Sequence, residues 1–218
     1  LSPAVVKQAI LSAGSSQAPC FIKTLLSFLP NKSTRSAARK ALARYEPAEL
    51  LPILEDVSRA PDTKTDLLIQ LPALAETMET QQAVDYLFAL VQQEDPIVKM
   101  EALESLHKIK SRFPHLTIGW KRLIPIVTGD IDLYKDTLVL SYTAQHSLER
   151  YKDDQKISLA LNELIELLER RRNNMLEHIF WVIGLAYPPN VILPLYKELQ
   201  HEDPAIRMNT VELLDNIL

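Results

Sequence analysis

Glycine, cysteine and aromatic residues are scarce in this chain of 218 residues, and each scarcity excludes a class of structure. With four glycines and 6% aromatic residues, the sequence lacks the turn and strand residues that sheet proteins need, and no segment alternates convincingly between apolar and polar residues. The single cysteine, Cys20, excludes an intrachain disulfide and a cysteine-based zinc cluster, and it favours a reducing compartment. We expect Cys20 to be buried among apolar residues.

Long hydrophobic runs are also missing. The longest strongly apolar run, IFWVIGLA at Ile179–Ala186, is far shorter than the ~20 residues of a membrane helix. No basic segment followed by an apolar stretch and a small-residue cleavage site marks a signal peptide. We expect a segment that does not span a membrane. Because it starts at Leu1 rather than Met and ends on apolar residues, we also expect it to be cut from a longer protein.

Helix-forming residues and helical periodicity dominate what is present. The chain is 47% hydrophobic and 24% charged, which is typical of a globular domain with a sizeable core. Its net charge of -4 disfavours nucleic acid and anionic surfaces as partners. Apolar residues at helical spacing predict these helices: 3–13, 17–29, 33–45, 47–59, 63–77, 80–93, 96–112, 117–128, 133–151, 155–172, 174–187, 190–201 and 204–218.

Several of these segments carry an apolar stripe that needs a neighbouring helix to cover it. The stripes are Val84, Leu87, Phe88 and Val91; Val98, Ala102, Leu103, Leu106 and Ile109; and Ile157, Leu161, Leu164, Ile165 and Leu168. Short loops between consecutive helices favour antiparallel hairpins, and a row of hairpins that touch only their neighbours is a solenoid. The sequence therefore predicts an all-α solenoid of about six antiparallel hairpins, forming a single domain over residues 1–218.

One phrase occurs twice, as EDPIVKMEALESL at Glu94–Leu106 and as EDPAIRMNTVELL at Glu202–Leu214. In each copy an Asp is placed to cap a helix whose first residue is Pro, where a missing N–H costs nothing, which predicts helix starts at Asp95-Pro96 and Asp203-Pro204. Similar helix-opening anchors are spaced about 29 to 41 residues apart, as in degenerate α-helical repeats. The anchors are Ser33, Asp62, Asp95, Asp132, Asn173 and Asp203.

The order of residues in this phrase resembles the HEAT repeat. An Asp-Pro opening, an aliphatic residue, a basic residue and then a Leu stand on what would be the second helix of a hairpin. Lys99 and Arg207 occupy the basic position of that pattern. The resemblance implies that Lys99 and Arg207 form a ladder with acidic residues between neighbouring repeats. Asp66 and Asp136 stand at the corresponding basic position of two other segments, so the ladder would be interrupted.

A second resemblance covers roughly residues 45–218. The strings ETQQAVDYLFALVQQEDPIVKMEALESLHKIKSRFPHL, at Glu79–Leu116, and HIFWVIGLAYPPNVILPLYKELQHEDPAIRMNTVELLDNIL, at His178–Leu218, carry it. They are similar to the HEAT-type domain of bacterial membrane proteins related to ATP/ADP translocases. That resemblance implies a non-enzymatic scaffold, tethered to a membrane region outside this chain and located in the cytoplasm at the inner face of the membrane. A protein or peptide is then the expected partner.

Catalytic and metal-binding patterns are not found in the sequence. The histidines never pair at helical spacing, no HExxH or GxSxG occurs, and the glycines form no phosphate loop. We therefore predict no metal, no cofactor and no enzyme activity. Because related helical folds include alkylated-base DNA glycosylases and bilin lyases, an enzyme remains the alternative. Arg170, Arg171 and Arg172 favour either a solvated helix end or a contact with an acidic partner, and Trp120 is a second candidate partner contact.

Overall fold

The computed structural model describes residues 2–187 and 189–217, and no strand occurs within these ranges. The predicted all-α class is confirmed. Contacts divide the chain into two compact units, Leu1–Ile118 and Gly119–Leu218, where the sequence predicts one domain. A solenoid of HEAT-like hairpins stays a prediction. Pro188 and Leu218, which belong to the string His178–Leu218, lie outside the described residues.

The first unit consists of short helices joined by tight turns. In chain order they are α1 Pro3–Ser16, a 3-10 turn Pro19–Phe21, α2 Ile22–Ser27, α3 Arg35–Leu42, α4 Pro47–Arg59, α5 Thr65–Leu68, α6 Pro72–Ala75, α7 Gln81–Val91 and α8 Pro96–Arg112. Helix α1 packs on α3, and α7 packs on α8, α4 and α6. Most helices in this unit therefore have neighbours on more than one side.

The α7–α8 pair forms the best-covered part of the first unit. The Thr80 hydroxyl accepts a hydrogen bond from the Ala83 N–H at 3.2 Å, which caps α7. The two apolar stripes predicted for these helices are confirmed, since every one of their nine residues is at most 2% exposed. Each such aliphatic or aromatic side chain contributes roughly 1.5–3 kcal/mol relative to the exposed state. Burial of these stripes fixes the register of the pair.

Helix α1 approaches α3 closely enough for their backbones to touch. A Cβ atom added at Gly14 would stand 2.5 Å from both Cα and Cβ of Ala41. No side chain larger than hydrogen fits there unless one helix moves. The Gly14–Ala41 contact therefore sets the distance between these two helices.

The second unit consists of two long helices followed by two shorter ones. In chain order they are α9 Trp120–Arg150, α10 Gln155–Ala186, α11 Pro189–Leu199 and α12 Pro204–Ile217. Helix α10 packs against α9 and α11, and α11 packs against α12. The Phe180 and Tyr196 rings, with centroids 5.5 Å apart, join α10 to α11. Among the described helices, none is both long enough and apolar enough to cross a bilayer.

The sequence prediction of separate helices at 117–128 and 133–151, and again at 155–172 and 174–187, is wrong. Helix α9 continues through Gly129 and Asp132, and α10 continues through Asn173. Asp132 and Asn173 therefore do not open helices. The cap that the anchors missed is Asp154, whose carboxylate accepts from the Lys156 and Ile157 N–H groups at 3.1 Å each and starts α10.

A seven-residue pattern explains why these two helices are continuous. Residues that are buried or half-buried recur every three or four positions on both helices, as in a coiled coil. They are Leu123, Val127, Asp130, Tyr134, Thr137, Ser141, Ala144 and Leu148 on α9, and Leu161, Ile165, Leu168, Arg172, Met175, Ile179 and Val182 on α10. The pairs Asp130–His178 and Thr137–Met175 show that the two helices run antiparallel. Packing along this seam outweighs the weak helix propensity of Gly129.

Helix α11 packs against α10 at the end of the hairpin that carries Phe180. Because α11 has 11 residues, it covers roughly 16 Å of α10. We name the remainder, residues 131–150 and 155–175, the distal hairpin. Its buried residues are Thr137, Ser141, Ala144 and Leu168. The stripe predicted for α10 is consequently not buried as a whole: Leu168 is, whereas Ile157 and Leu164 are 40% and 44% exposed.

We predict opposite effects from adding one methyl group at two helical glycines. Gly14→Ala should destabilise the protein by about 1–3 kcal/mol, because the methyl group must displace Ala41. Gly129→Ala should stabilise it by up to about 1 kcal/mol, because nothing lies within 4 Å of the added carbon and alanine favours the helix. Urea denaturation measures both changes. Equal effects at the two sites would contradict the Gly14–Ala41 contact.

A second prediction concerns the start of α8. Asp95→Ala removes the acceptor for the Ile97 and Val98 N–H groups and should cost about 0.5–2 kcal/mol. Asp62→Ala is the matched control. The sequence places a helix start at Asp62 as well, but α5 begins at Thr65 after Lys64, so we expect no measurable change. An unfolding midpoint that is the same for Asp95→Ala and the wild type would remove this role for Asp95.

Candidate interaction groove

An apolar groove lies between α1 and α2 in the first unit. Its volume is about 480 Å³, and its walls are Val5, Val6, Ala9, Ile10, Ala13, Phe21, Thr24, Leu25 and Phe28. Val5 is 53% exposed and Phe21 is 40% exposed, although both are large apolar side chains. Ile10 and Leu25 are buried and form the floor. The groove therefore offers aromatic and aliphatic surface to solvent on a firmly packed base.

Hydrogen bonds hold the segment between α1 and α2 in place. Gln17 ends α1 in the left-handed conformation, at φ 50°, and its side-chain amide donates to the Arg44 carbonyl. The Arg44 guanidinium donates to the Ser15 hydroxyl, and the Tyr45 hydroxyl donates to the Ala18 carbonyl at 3.1 Å. Burial, with smaller contributions from Cys20 and Glu49, raises the pKa of Tyr45, so Tyr45 stays a donor at neutral pH. The wall that carries Phe21 is thus anchored to the end of α3.

Cys20 lies next to this wall, in the 3-10 turn Pro19–Phe21, and it is exposed. The prediction that it is buried among apolar residues is wrong. A single exposed thiol beside the groove is therefore open to chemical labelling.

The stretch of sequence that forms the groove carries positively charged side chains but no negatively charged ones. Residues 2–45 contain no Asp or Glu, and their basic residues are Lys7, Lys23, Lys32, Arg35, Arg39, Lys40 and Arg44. The four lysines are exposed. Within one Debye length, about 8–10 Å, such charges attract an anionic partner. The first acidic residue is Glu46, so the net charge of the chain hides a strongly basic N-terminal stretch.

The lining chemistry decides which kind of ligand the groove suits. A small-molecule site usually combines an apolar wall with a few converging polar groups, whereas Thr24 is the one polar side chain among these walls. A groove between two helices with apolar walls is the usual receptor for the apolar face of a third helix. The positive surroundings further favour acidic residues on the flanks of that helix.

The residues of the first repeated phrase serve local structure in the first unit. Asp95 caps α8 through N–H groups 2.9 and 3.3 Å away, and its other carboxylate oxygen accepts from the Thr65 hydroxyl at 3.2 Å. Pro96 is the first residue of α8. The Lys99 side chain makes no hydrogen bond or ion pair within the described ranges. The start of α8 is connected to α5 by the hydrogen bond between Asp95 and Thr65, and not through the basic residue.

The second copy of the phrase does the same in the second unit. The Asp203 carboxylate accepts from the Ala205 N–H at 2.9 Å, and Pro204 is the first residue of α12. The Arg207 guanidinium donates to the carbonyls of His201 and Glu202 at 2.7 and 2.9 Å. Arg207 therefore closes the loop before its own helix and makes no ladder among the described residues.

The predicted partner contacts belong to the second unit, whereas the groove belongs to the first. Arg170, Arg171 and Arg172 stand in the interior of α10, so the idea that they end a helix is wrong. Arg170 pairs with Glu166 at 3.8 Å on the surface, and Arg172 is half-buried at the α9–α10 seam. Trp120 begins α9, is 44% exposed and meets the Tyr187 ring edge-on at 6.3 Å.

A buried His–Asp pair is the main chemical feature of the second unit. His178 Nδ1 lies 2.5 Å from Asp130 Oδ2, and the buried His178 Nε2 has no partner among the residues described. The buried Ser141 hydroxyl stands eleven residues further along α9, roughly 16 Å away, so the three cannot form a catalytic triad. No group of three metal-binding side chains occurs in the described part of the chain. The pair joins α9 to α10 inside the protein.

We predict that this pair stabilises the base of the hairpin. Asp130→Ala leaves the buried His178 ring without its acceptor and should cost about 1–3 kcal/mol. Asp132→Ala is the matched control on the same helix. Asp132 pairs with Lys135 at 3.3 Å on the surface, and such a pair contributes about 0–1 kcal/mol. Urea unfolding that shows equal losses for the two variants would exclude an interior role for Asp130.

Sequence reasoning did not find the groove, although two signals point to it. Apolar residues occupy Val5, Val6, Ala9, Ile10 and Ala13, a band wider than one covering helix needs, and acidic residues are missing from the whole N-terminal stretch. No protein-family model matches the chain, and neither the curated proteins nor the solved structures give a significant match.

Proposed function

We propose that this chain is a non-enzymatic protein-interaction or regulatory module whose N-terminal groove receives the apolar face of a partner helix with acidic flanks. The observation that carries the proposal is the coincidence of an apolar, solvent-open groove with a stretch of seven basic and no acidic residues. Apolar contact supplies affinity in such complexes, and the charges supply orientation and a faster association rate.

The wider setting of the proposal comes from the resemblance to HEAT-type domains. We propose that the module works in the cytoplasm, tethered to a nucleotide-transporter-like membrane region of a bacterial protein. In that setting, the groove binds an acidic helix of another protein, or of another part of the same assembly, and this binding regulates the membrane region. The sequence strings at Glu79–Leu116 and His178–Leu218 support this setting.

A designed peptide tests the groove directly. We predict that an 18-residue helical peptide with leucines on one face and glutamates elsewhere binds the protein, with an affinity that falls as salt rises because the lysines are screened. Isothermal titration calorimetry measures the affinity. A dye on Cys20, the single thiol, gives an independent signal beside Phe21.

Variants of the groove wall provide the controls for this experiment. Val5→Ser and Phe21→Ser should each weaken binding at least tenfold, since losing about 1.4 kcal/mol of apolar contact has that effect. Ile97→Ser removes an apolar side chain that is equally exposed, at 56%, but lies on α8 outside the groove, and it should leave binding unchanged. All three positions are exposed, so none of these variants is expected to unfold the protein.

Three results would contradict the proposal. One is the absence of binding at millimolar peptide, and another is equal binding of a peptide in which lysine replaces every glutamate. The third is tight, salt-sensitive binding of duplex DNA in a gel-shift assay that Val5→Ser does not affect. That result would instead favour the enzyme alternative of an alkylated-base DNA glycosylase.

A further inference from the structure

The distal hairpin displays an apolar face that nothing in the described chain covers. Five large apolar side chains on it are between 40% and 58% exposed. We name this set the distal hairpin face: Leu133, Leu140, Ile157, Leu164 and Leu167. These residues belong to the same two helices whose seam is closed by small side chains such as Ser141 and Ala144.

The seven-residue pattern places these side chains on one side of the hairpin. Leu133 and Leu140 each stand immediately before the seam residues Tyr134 and Ser141. Leu164 stands in the equivalent position on α10, immediately before the seam residue Ile165, and Ile157 stands one heptad before Leu164. Because the two helices run antiparallel, equivalent flanks of their repeats lie on the same side of the pair. Leu167, one turn from Leu164, widens that side.

The charges at the margin of this face are arranged for pairing with an inverted copy of itself. The segment Thr137–Leu148 contains no Asp, Glu, Lys or Arg. Asp136 precedes it, and Glu149 and then Arg150 follow it. Asp136 stands about one helical turn after Leu133, and Arg150 stands two heptads after Asp136. Both therefore lie beside Leu133 and Leu140 on the same flank of α9. Both are exposed, and neither has an ion-pair partner within the described residues. A copy turned end for end brings each Asp136 to the partner's Arg150.

The area of the face also matches what a dimer requires. The distal hairpin has about 20 residues on each helix, hence a length of roughly 30 Å, and two adjacent helices have a width of roughly 20 Å. Two such faces packed together bury about 1,200 Å² in total, which reaches the lower range of specific protein interfaces. Four helices packed in this way also form an antiparallel bundle, in which the exposed leucines become core.

We propose that the distal hairpin face is the interface of a homodimer, in which two hairpins pack end for end as a four-helix bundle. The inference does not rest on the groove between α1 and α2, which lies in the other unit. A second copy is the occupant that the charge pattern selects, because the acid and the base that it needs are both on this face. In the monomer, each helix of the distal hairpin is covered on one side, along the seam. In the dimer, each of these helices is covered on two sides.

Sedimentation equilibrium of the whole chain tests this interface. We expect the wild type to be a dimer at micromolar concentration, and Leu140→Glu and Leu164→Glu each to weaken dimerisation at least a hundredfold. The matched controls are Val139→Glu and Leu159→Glu, which add the same charge at residues 64% and 61% exposed that point away from the face. They should leave the dimer intact.

A charge swap tests the end-for-end arrangement. Asp136→Lys and Arg150→Glu should each weaken the dimer several-fold, and the variant with both changes should return to within about twofold of the wild type. A double variant weaker than either single variant would overturn the arrangement. A wild type that stays monomeric up to ~100 µM, or a control variant that dissociates as readily as Leu140→Glu, would overturn the interface itself.

Discussion

The antiparallel seam between α9 and α10 is the interaction on which the second unit depends. The small side chains of Thr137, Ser141 and Ala144 on α9 and the larger Leu168 on α10 are buried along it. A seam of this kind needs only one face of each helix. The surface outside the seam needs other neighbours: α11 packs against α10 at the base of the hairpin, α12 packs against α11, and the distal part keeps its outer apolar residues in contact with water.

The first unit covers its apolar surface differently, with many short helices instead of two long ones. There the apolar stripes of α7 and α8 are covered from several directions, and the surface that remains open is concentrated at the groove between α1 and α2. The close contact of Gly14 with Ala41 determines where α1 lies, and Tyr45 and Arg44 fix the turn that follows it. The groove is therefore a feature of rigid packing and keeps its shape without a ligand.

The sequence was sufficient for those parts of the fold that depend on local periodicity and capping. The stripes of α7 and α8 follow from residue spacing alone, as does the start of α8 at Asp95-Pro96. The sequence was insufficient where tertiary packing determines the helix boundaries and the exposure of side chains. Gly129, Asp132 and Asn173 read as helix breaks, yet the seam carries the helices through them, because propensities of at most about 1 kcal/mol yield to packing. The exposure of Ile157 and Leu164 could not be predicted either, because helical periodicity shows that a helix has an apolar face but not whether a neighbour covers that face.

The candidate groove was harder to predict, for a related reason. Its walls come from one helix and from the turn and helix after it. These apolar residues look like ordinary core in the sequence, and only the folded structure shows that no third helix among the described residues covers them. Averaging charge over the whole chain hid the basic stretch around it. The prediction for Cys20 was wrong for a different reason. Cysteine is usually buried, but Cys20 lies exposed in a short turn.

The connectivity of the α9–α10 hairpin has a consequence for how it forms. Its two helices are joined by a loop of only four residues, Tyr151–Asp154, so the contacts nearest this loop close at small entropic cost. Pairing can then spread away from the loop like a zipper, each turn bringing the next seam residues together. We expect the Asp130–His178 pair, separated by 48 residues in sequence, to close late in that process. We therefore expect the distal part, which exposes many apolar side chains, to form first and the buried pair to complete the hairpin.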